Sequence, residues 1–143
     1  MIAVRIGPDL RMAAVGAPDY FKTHAEPKRP QDLVDHDCIK LRLSTLGRLY
    51  AWEFEKGGRE IKVRVEGQLT FNGTAQMLTA ALSGFGLAYV PEELARPHLA
   101  KGRLKRVLAD WCPPYVGYHL YYPSRRQSSA AFALLVEALR YRG

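Results

Sequence analysis

The chain has 143 residues, of which 48% are hydrophobic and 24% charged. That composition suits one folded domain and excludes a disordered segment. No apolar run is long enough to span a membrane, and Arg5, Asp9 and Arg11 break up the only N-terminal stretch that a signal peptide could use, so a cytoplasmic setting is expected. The formal net charge of +7 raises nucleic acid as a partner, but the basic residues fall in separate short groups. No zinc-finger, KH, RRM or helix-turn-helix pattern accompanies them.

In chain order, "LRMAAVGAP" (Leu10 to Pro18) reads as a strand stopped by Gly16 and Pro18. Pro18 then opens one or two helical turns over "DYFKTH", and Pro30 opens another short helix over Gln31 to Val34. "CIKLRL" (Cys38 to Leu43) alternates as a strand does. The clearest hairpin follows: Tyr50, Trp52 and Phe54 share one face, Lys56-Gly57-Gly58 turns, and Ile61, Val63 and Val65 return.

"QLTF" predicts a further strand, and Asn72 is placed to cap a helix over Thr74 to Ser83 with Met77, Leu78, Ala81 and Leu82 as its apolar stripe. Gly84 and Gly86 stop that helix. "LAYV" is a buried strand, and Pro91-Glu92-Glu93 starts the next helix with two acids in its first turn. "RLKRVL" and "YHLYYP" read as strands, "WCPPYVG" as a rigid linker, and Ser128 to Tyr141 as an amphipathic helix. Short helices between apolar strands predict an α/β domain with a mixed sheet.

Little in this pattern can carry catalysis. Gly84 and Gly86 form a GxG, but they follow a helix and precede a strand, the reverse of the dinucleotide fingerprint. No serine lies in GxSxG, and Glu92 and Glu93 are neighbours that do not face one another on a helix. Cys38 and Cys112 form no CxxC, and the four histidines are scattered, so neither a metal nor a cofactor is expected. The chain is not expected to be an enzyme.

A binding site is easier to build. Ligands of open α/β sheets sit outside the carboxyl ends of strands, near helix N-termini. The turn Phe71, Asn72, Gly73, Thr74 offers hydrogen bonds and an apolar wall there. Pro91 marks a second such turn, and Arg42, at the end of "CIKLRL", suits an acidic ligand. Taken singly, each of these residues also reads as a cap or a core residue.

Six signatures stand in order: "VGAPDYF", "HDCI", the Trp52/Phe54 hairpin, "GFGLAYVPEEL", "LKRVLADW" and "YYPSRR" before a last helix. Together they strongly resemble the effector-binding part of LysR-type transcriptional regulators, over about Leu10 to Leu139. The resemblance implies a periplasmic-binding-protein type 2-like fold of two α/β lobes with a small-molecule effector in the cleft between them. It implies one near-complete lobe with a mixed sheet, Ile6 to Leu108 (6–108), and then a crossover with the returning strand and helix of the other lobe, Ala109 to Gly143 (109–143). A helix-turn-helix domain, a linker helix and the opening elements of the first lobe are not matched.

Under that resemblance Arg42, Phe71, Asn72, Gly73, Thr74 and Pro91 are the effector-binding residues, and Trp52 and Tyr50 pack or meet a neighbouring subunit. The implied partners are a small-molecule effector, of which an organic acid is one class, and further copies of the chain in a homo-oligomer. No membrane is involved, and this chain alone is not expected to bind DNA specifically. The final helix is expected to expose Phe132, Leu135 and Leu139, and "YHLYY" to leave a sheet edge open. The alternative is a free-standing solute-binding or protein-interaction module built on half of the same fold.

Overall fold

A computed structural model describes residues 2–43, 49–115, 119–122 and 130–140. The chain divides into two compact units, a larger one of Arg11–Pro113 and a smaller one made of Met1–Leu10 with Pro114–Gly143.

In the larger unit, β2 (Met12–Gly16) lies between β7 (Ala88–Pro91) and β8 (Lys105–Val107), antiparallel to both. A second pair, β3 (Lys40–Leu41) with β6 (Thr70–Phe71), is parallel. The parallel bridge Cys38↔Leu87 joins the two sets, with Ile39 N–H donating to Leu87 O and Leu87 N–H to Asp37 O. The strands therefore run β6-β3-β7-β2-β8, with β2 alone reversed. Asp37 and Gly86 approach so closely that a Cβ on Gly86 would overlap the Asp37 carbonyl, and Gly86 has φ +145°, a conformation glycine reaches at little cost.

Both faces of this sheet are buried, which is why its strands read as continuous apolar runs instead of alternating ones. Ala13, Val15, Ala88 and Val90 point to one face. There they meet Met77, Ala80 and Ala81 of α2 (Thr74–Leu82) and Ala95 of α3 (Glu92–Ala100). Ala14, Leu87, Tyr89 and Val107 point to the other face, toward Tyr20 of α1 (Pro18–Phe21) and Leu33 of the 3-10 helix Pro30–Asp35.

The hairpin of β4 (Trp52–Lys56) and β5 (Arg59–Val63) closes this second face. Gly57 and Gly58, at φ +60° and +79°, make its turn. Trp52 is fully buried and stacks on Tyr89 with ring centroids 5.3 Å apart, and Phe54 packs on the same ring. Trp52 thus belongs to the core of its own chain.

In the smaller unit, β1 (Ile2–Arg5) pairs antiparallel with β9 (His119–Tyr122) in the register Ile2↔Tyr122 to Arg5↔His119. This pairing covers one edge of the strand that was expected to lie open, and β1 itself was not expected. Leu10 and Tyr115 exchange backbone hydrogen bonds of 2.8 and 2.7 Å. The last helix is α4 (Ala130–Leu139), on which Val136 is buried and Leu134, Leu135 and Leu139 are exposed. The expected helix residues Ser128, Ser129 and Tyr141, most of the "YYPSRR" segment and the Phe132 side chain lie outside the described residues.

Candidate functional site

Strand direction collects the sequence-predicted residues at one end of the larger sheet. Lys40↔Thr70 and Leu41↔Phe71 are parallel partners, so β3 and β6 finish side by side at Arg42 and Asn72. Arg42 N–H donates to Phe71 O at 2.8 Å. Since Cys38 opposes Leu87 in parallel, β7 runs the same way and finishes at Pro91. Two helices begin at this end, α2 after Gly73 and α3 after Pro91, and aligned N–H groups there favour negative charge. Arg42 and Asn72 are exposed, while Gly73, Thr74 and Pro91 are half-buried.

The capping role expected of Asn72 is not found. The N-cap of α2 is Gly73, in extended conformation, and no side chain caps the helix. Gln76, the third helical residue, folds back so far that a Cβ on Gly73 would overlap its Oε1. Glycine is an adequate N-cap, and with Gly73 in that place Asn72 falls one residue too early to bond the first turn. Of the expected stripe of α2, Met77 and Ala81 are buried and Leu78 and Leu82 half-buried against the same cluster, and Ala80 joins them as a buried residue.

Phe71 faces elsewhere. Its ring helps line a groove of about 580 Å³ along the outer side of β6 and α2, with Leu69, Ala75, Thr79, Ala80 and Phe85. Phe85 is 59% exposed at the rim.

Close by the Pro91 turn is an ionic cluster that sequence reading missed. Glu92, the first residue of α3, pairs with Arg106, with Arg96 at 3.1 Å and with Arg11 at 3.9 Å. The Arg106 hydrogen bond, ahead of the opposing effect of burial, holds the Glu92 carboxyl below the usual carboxylate range. Arg106 also donates to Met12 O at 2.8 Å. Only Arg96, one helical turn from Glu92, was visible in sequence as an i,i+4 pair. Arg11, just ahead of β2, and Arg106, in β8, arrive from elsewhere in the sheet, and nothing local announces them.

Burial pushes the Cys38 thiol up to about 12 and raises that of Cys112 as well, so neither is primed as a nucleophile. Among the described residues no group of three His, Cys, Asp or Glu side chains could hold a metal ion, and no helix is long and apolar enough to cross a membrane.

Comparison with known proteins agrees with this picture. The LysR substrate binding domain family matches residues 1–143. A Pseudomonas aeruginosa protein carrying the designation transcriptional regulator is 56% identical over 141 residues, 99% of this chain and 46% of its own length. The HTH-type transcriptional regulator PgrR of Escherichia coli is 46% identical over 143 residues, 100% of this chain and 48% of its own. The chain thus spans about half the length of these curated relatives. Among solved structures, the regulatory domain of AphB from Vibrio vulnificus superposes with a TM-score of 0.73 at 25% identity, over 96% of this chain and 67% of that one. Full-length AphB from Vibrio cholerae, a virulence activator and member of the LTTR family, gives 0.66 at 25% identity over 78% and 37%. Such regulatory domains have the periplasmic-binding-protein type 2-like fold. The match does not favour the alternative of a free-standing solute-binding or protein-interaction module built on half of the same fold, and the relatives are regulators of transcription, not enzymes. The chain belongs to the LysR substrate binding domain family.

Proposed function

We propose that the chain senses a small organic acid on behalf of a cytoplasmic transcription regulator, holding it at the carboxyl ends of β3, β6 and β7. The observation that carries this reading is the convergence of three parallel strand ends with the starts of α2 and α3. In this reading Gly73 and Thr74 present backbone N–H groups to a carboxylate and Arg42 supplies a guanidinium. Asn72 contributes its amide, and Pro91 bounds the apolar portion of the ligand, while Phe71, turned into the groove beside α2, takes no part.

Self-association belongs to the same reading, since α4 exposes Leu134, Leu135 and Leu139 and regulators of this family work as oligomers. Recognition of an operator resides outside residues 1–143, and no catalytic step is involved.

The test is a thermal-shift screen of the chain against organic acids, amines and neutral sugars, followed by calorimetric titration of any binder. An acid should raise the melting temperature, and Arg42→Ala should weaken its binding about tenfold or more, the loss of one charged hydrogen bond. Selective binding of an amine or a sugar, or an affinity indifferent to Arg42, would overturn the reading.

A further inference from the structure

We propose that Arg11 is a latch that sets the segment through which the chain leaves the larger unit. Residues 109–113 belong with that unit, although sequence reading assigns them to the crossover, and Arg11 is what holds them. Its Nε donates to Cys112 O at 2.7 Å and its Nη2 to Ala109 O at 3.0 Å. One planar guanidinium thus spans both ends of the 3-10 turn Ala109–Trp111, a fork geometry that only arginine provides. The first residue of the unit grips its last turn.

That turn needs holding. Leu108, which leads into it, has φ +56° and ψ +29° and is alone among the described non-glycine residues in the left-handed region. A leucine resists this conformation because its Cβ crowds the following carbonyl. Such strain persists only where surrounding contacts over-determine it. Within the turn, Trp111 N–H donates to Leu108 O and Cys112 N–H to Ala109 O, at 2.9 and 3.2 Å. On its outer side, Lys56 lies 5.4 Å from the Trp111 ring and 4.0 Å from Asp110, contacts too exposed to hold a strained backbone alone.

The latch is also tied to α3. Glu92 N–H, at the start of that helix, donates to Arg11 O at 2.8 Å, and the Glu92 carboxylate faces the Arg11 guanidinium. The start of α3 and the exit turn therefore share one residue, so a shift at either is felt at the other through two contacts of Arg11. This arrangement does not depend on any effector being bound at the strand ends.

The experiment is residue-resolved hydrogen exchange on the 143-residue chain and on Arg11→Ala and Arg11→Lys. Lysine retains the charge opposite Glu92 but cannot bond both carbonyls. In both variants the Trp111 and Cys112 amides should exchange at least about tenfold faster, while the Val15 and Val90 amides of the central strands are unchanged. Unaltered exchange at Trp111 and Cys112 would overturn the latch. So would full protection restored by lysine, which would leave charge alone as the cause. An equal acceleration at Val15 and Val90 would overturn it too, by making Arg11 a general stabiliser of the unit.

Discussion

The Tyr20 hydroxyl and Nδ1 of His36 share a hydrogen bond of 2.7 Å, and the same hydroxyl oxygen accepts the backbone N–H of Asp37 at 3.2 Å. His24 stacks on Tyr20, centroids 4.1 Å apart, and lies 6.1 Å from His36. The Tyr20 hydroxyl, bonded to His36 and to Asp37, thus pins α1 to the segment that leads into β3.

Burial first, and then the nearby His24, lower the affinity of His36 for a proton below its ordinary value of 6.5, against the opposing pull of Asp35, Asp32 and the Ala25 carbonyl. A lowered folded-state value means the unfolded chain binds the proton more readily. The stability due to neutral His36 is therefore fully present above about pH 6.5 and is lost as pH falls through that value toward the lowered one. The lowered carboxyls of Glu26, Asp32 and Glu92 add their own losses only on further acidification, below about 4.5. Melting temperatures between pH 7.5 and 5 should decline for the native chain and stay flatter for His36→Gln. Parallel slopes for the two proteins would remove His36 as the cause.

Two glycines separate conformational need from steric need. Gly57 has φ +60° with open space around it, whereas Gly86 has φ +145° and a backbone carbonyl where its Cβ would stand. Gly57→Ala should cost about 1 kcal/mol, the ordinary penalty of a left-handed alanine. Gly86→Ala should cost about 3 kcal/mol or more, because strain and a forced separation of β3 from β7 combine. Urea unfolding of the two variants checks the order, and equal midpoints would show that the strands part without cost.

The Asn72 amide makes no cap, so Asn72→Ala should alter stability by less than about 0.5 kcal/mol, as for an exposed residue outside any network. A loss near the roughly 1 kcal/mol of a true N-cap would restore the role expected from sequence. This misplacement shows where sequence reading reaches its limit. The helix itself was legible from Met77, Ala81 and the Gly84 stop, because apolar spacing and chain breakers are local signals. Its first residue was not, because Asn and Gly stand together and either is an acceptable cap.

The same division runs through the candidate site. Arg42, Asn72 and Pro91 could be placed at strand ends from the order of strands and helices alone, and pairing registers bring those ends together. Glu92 meeting Arg11 and Arg106 was invisible, because the residue ahead of β2 and the middle of β8 are set beside α3 only by the folded sheet. β1 escaped notice for a related reason: four residues pair with β9 near the other end of the chain, and a strand that short has no pattern of its own.

The smaller unit leaves an apolar helix face that sequence periodicity did announce. Leu134 is 72% exposed and Leu135 50%, whereas Val136 turns inward. Covering one leucine side chain is worth about 1.5–3 kcal/mol, so a pair of helices meeting through these residues gains enough to offset part of the cost of association. The chain should therefore associate at micromolar concentration, and Leu134→Glu with Leu135→Glu should shift it to monomer. Because both residues stand out from their unit, the double variant should melt within a few degrees of the native chain at concentrations where both are monomeric. Sedimentation velocity over a tenfold dilution series measures the shift. An assembly that survives the two charges would place the contact elsewhere, and the groove between β6 and α2, rimmed by the exposed Phe85, would be the next surface to mutate.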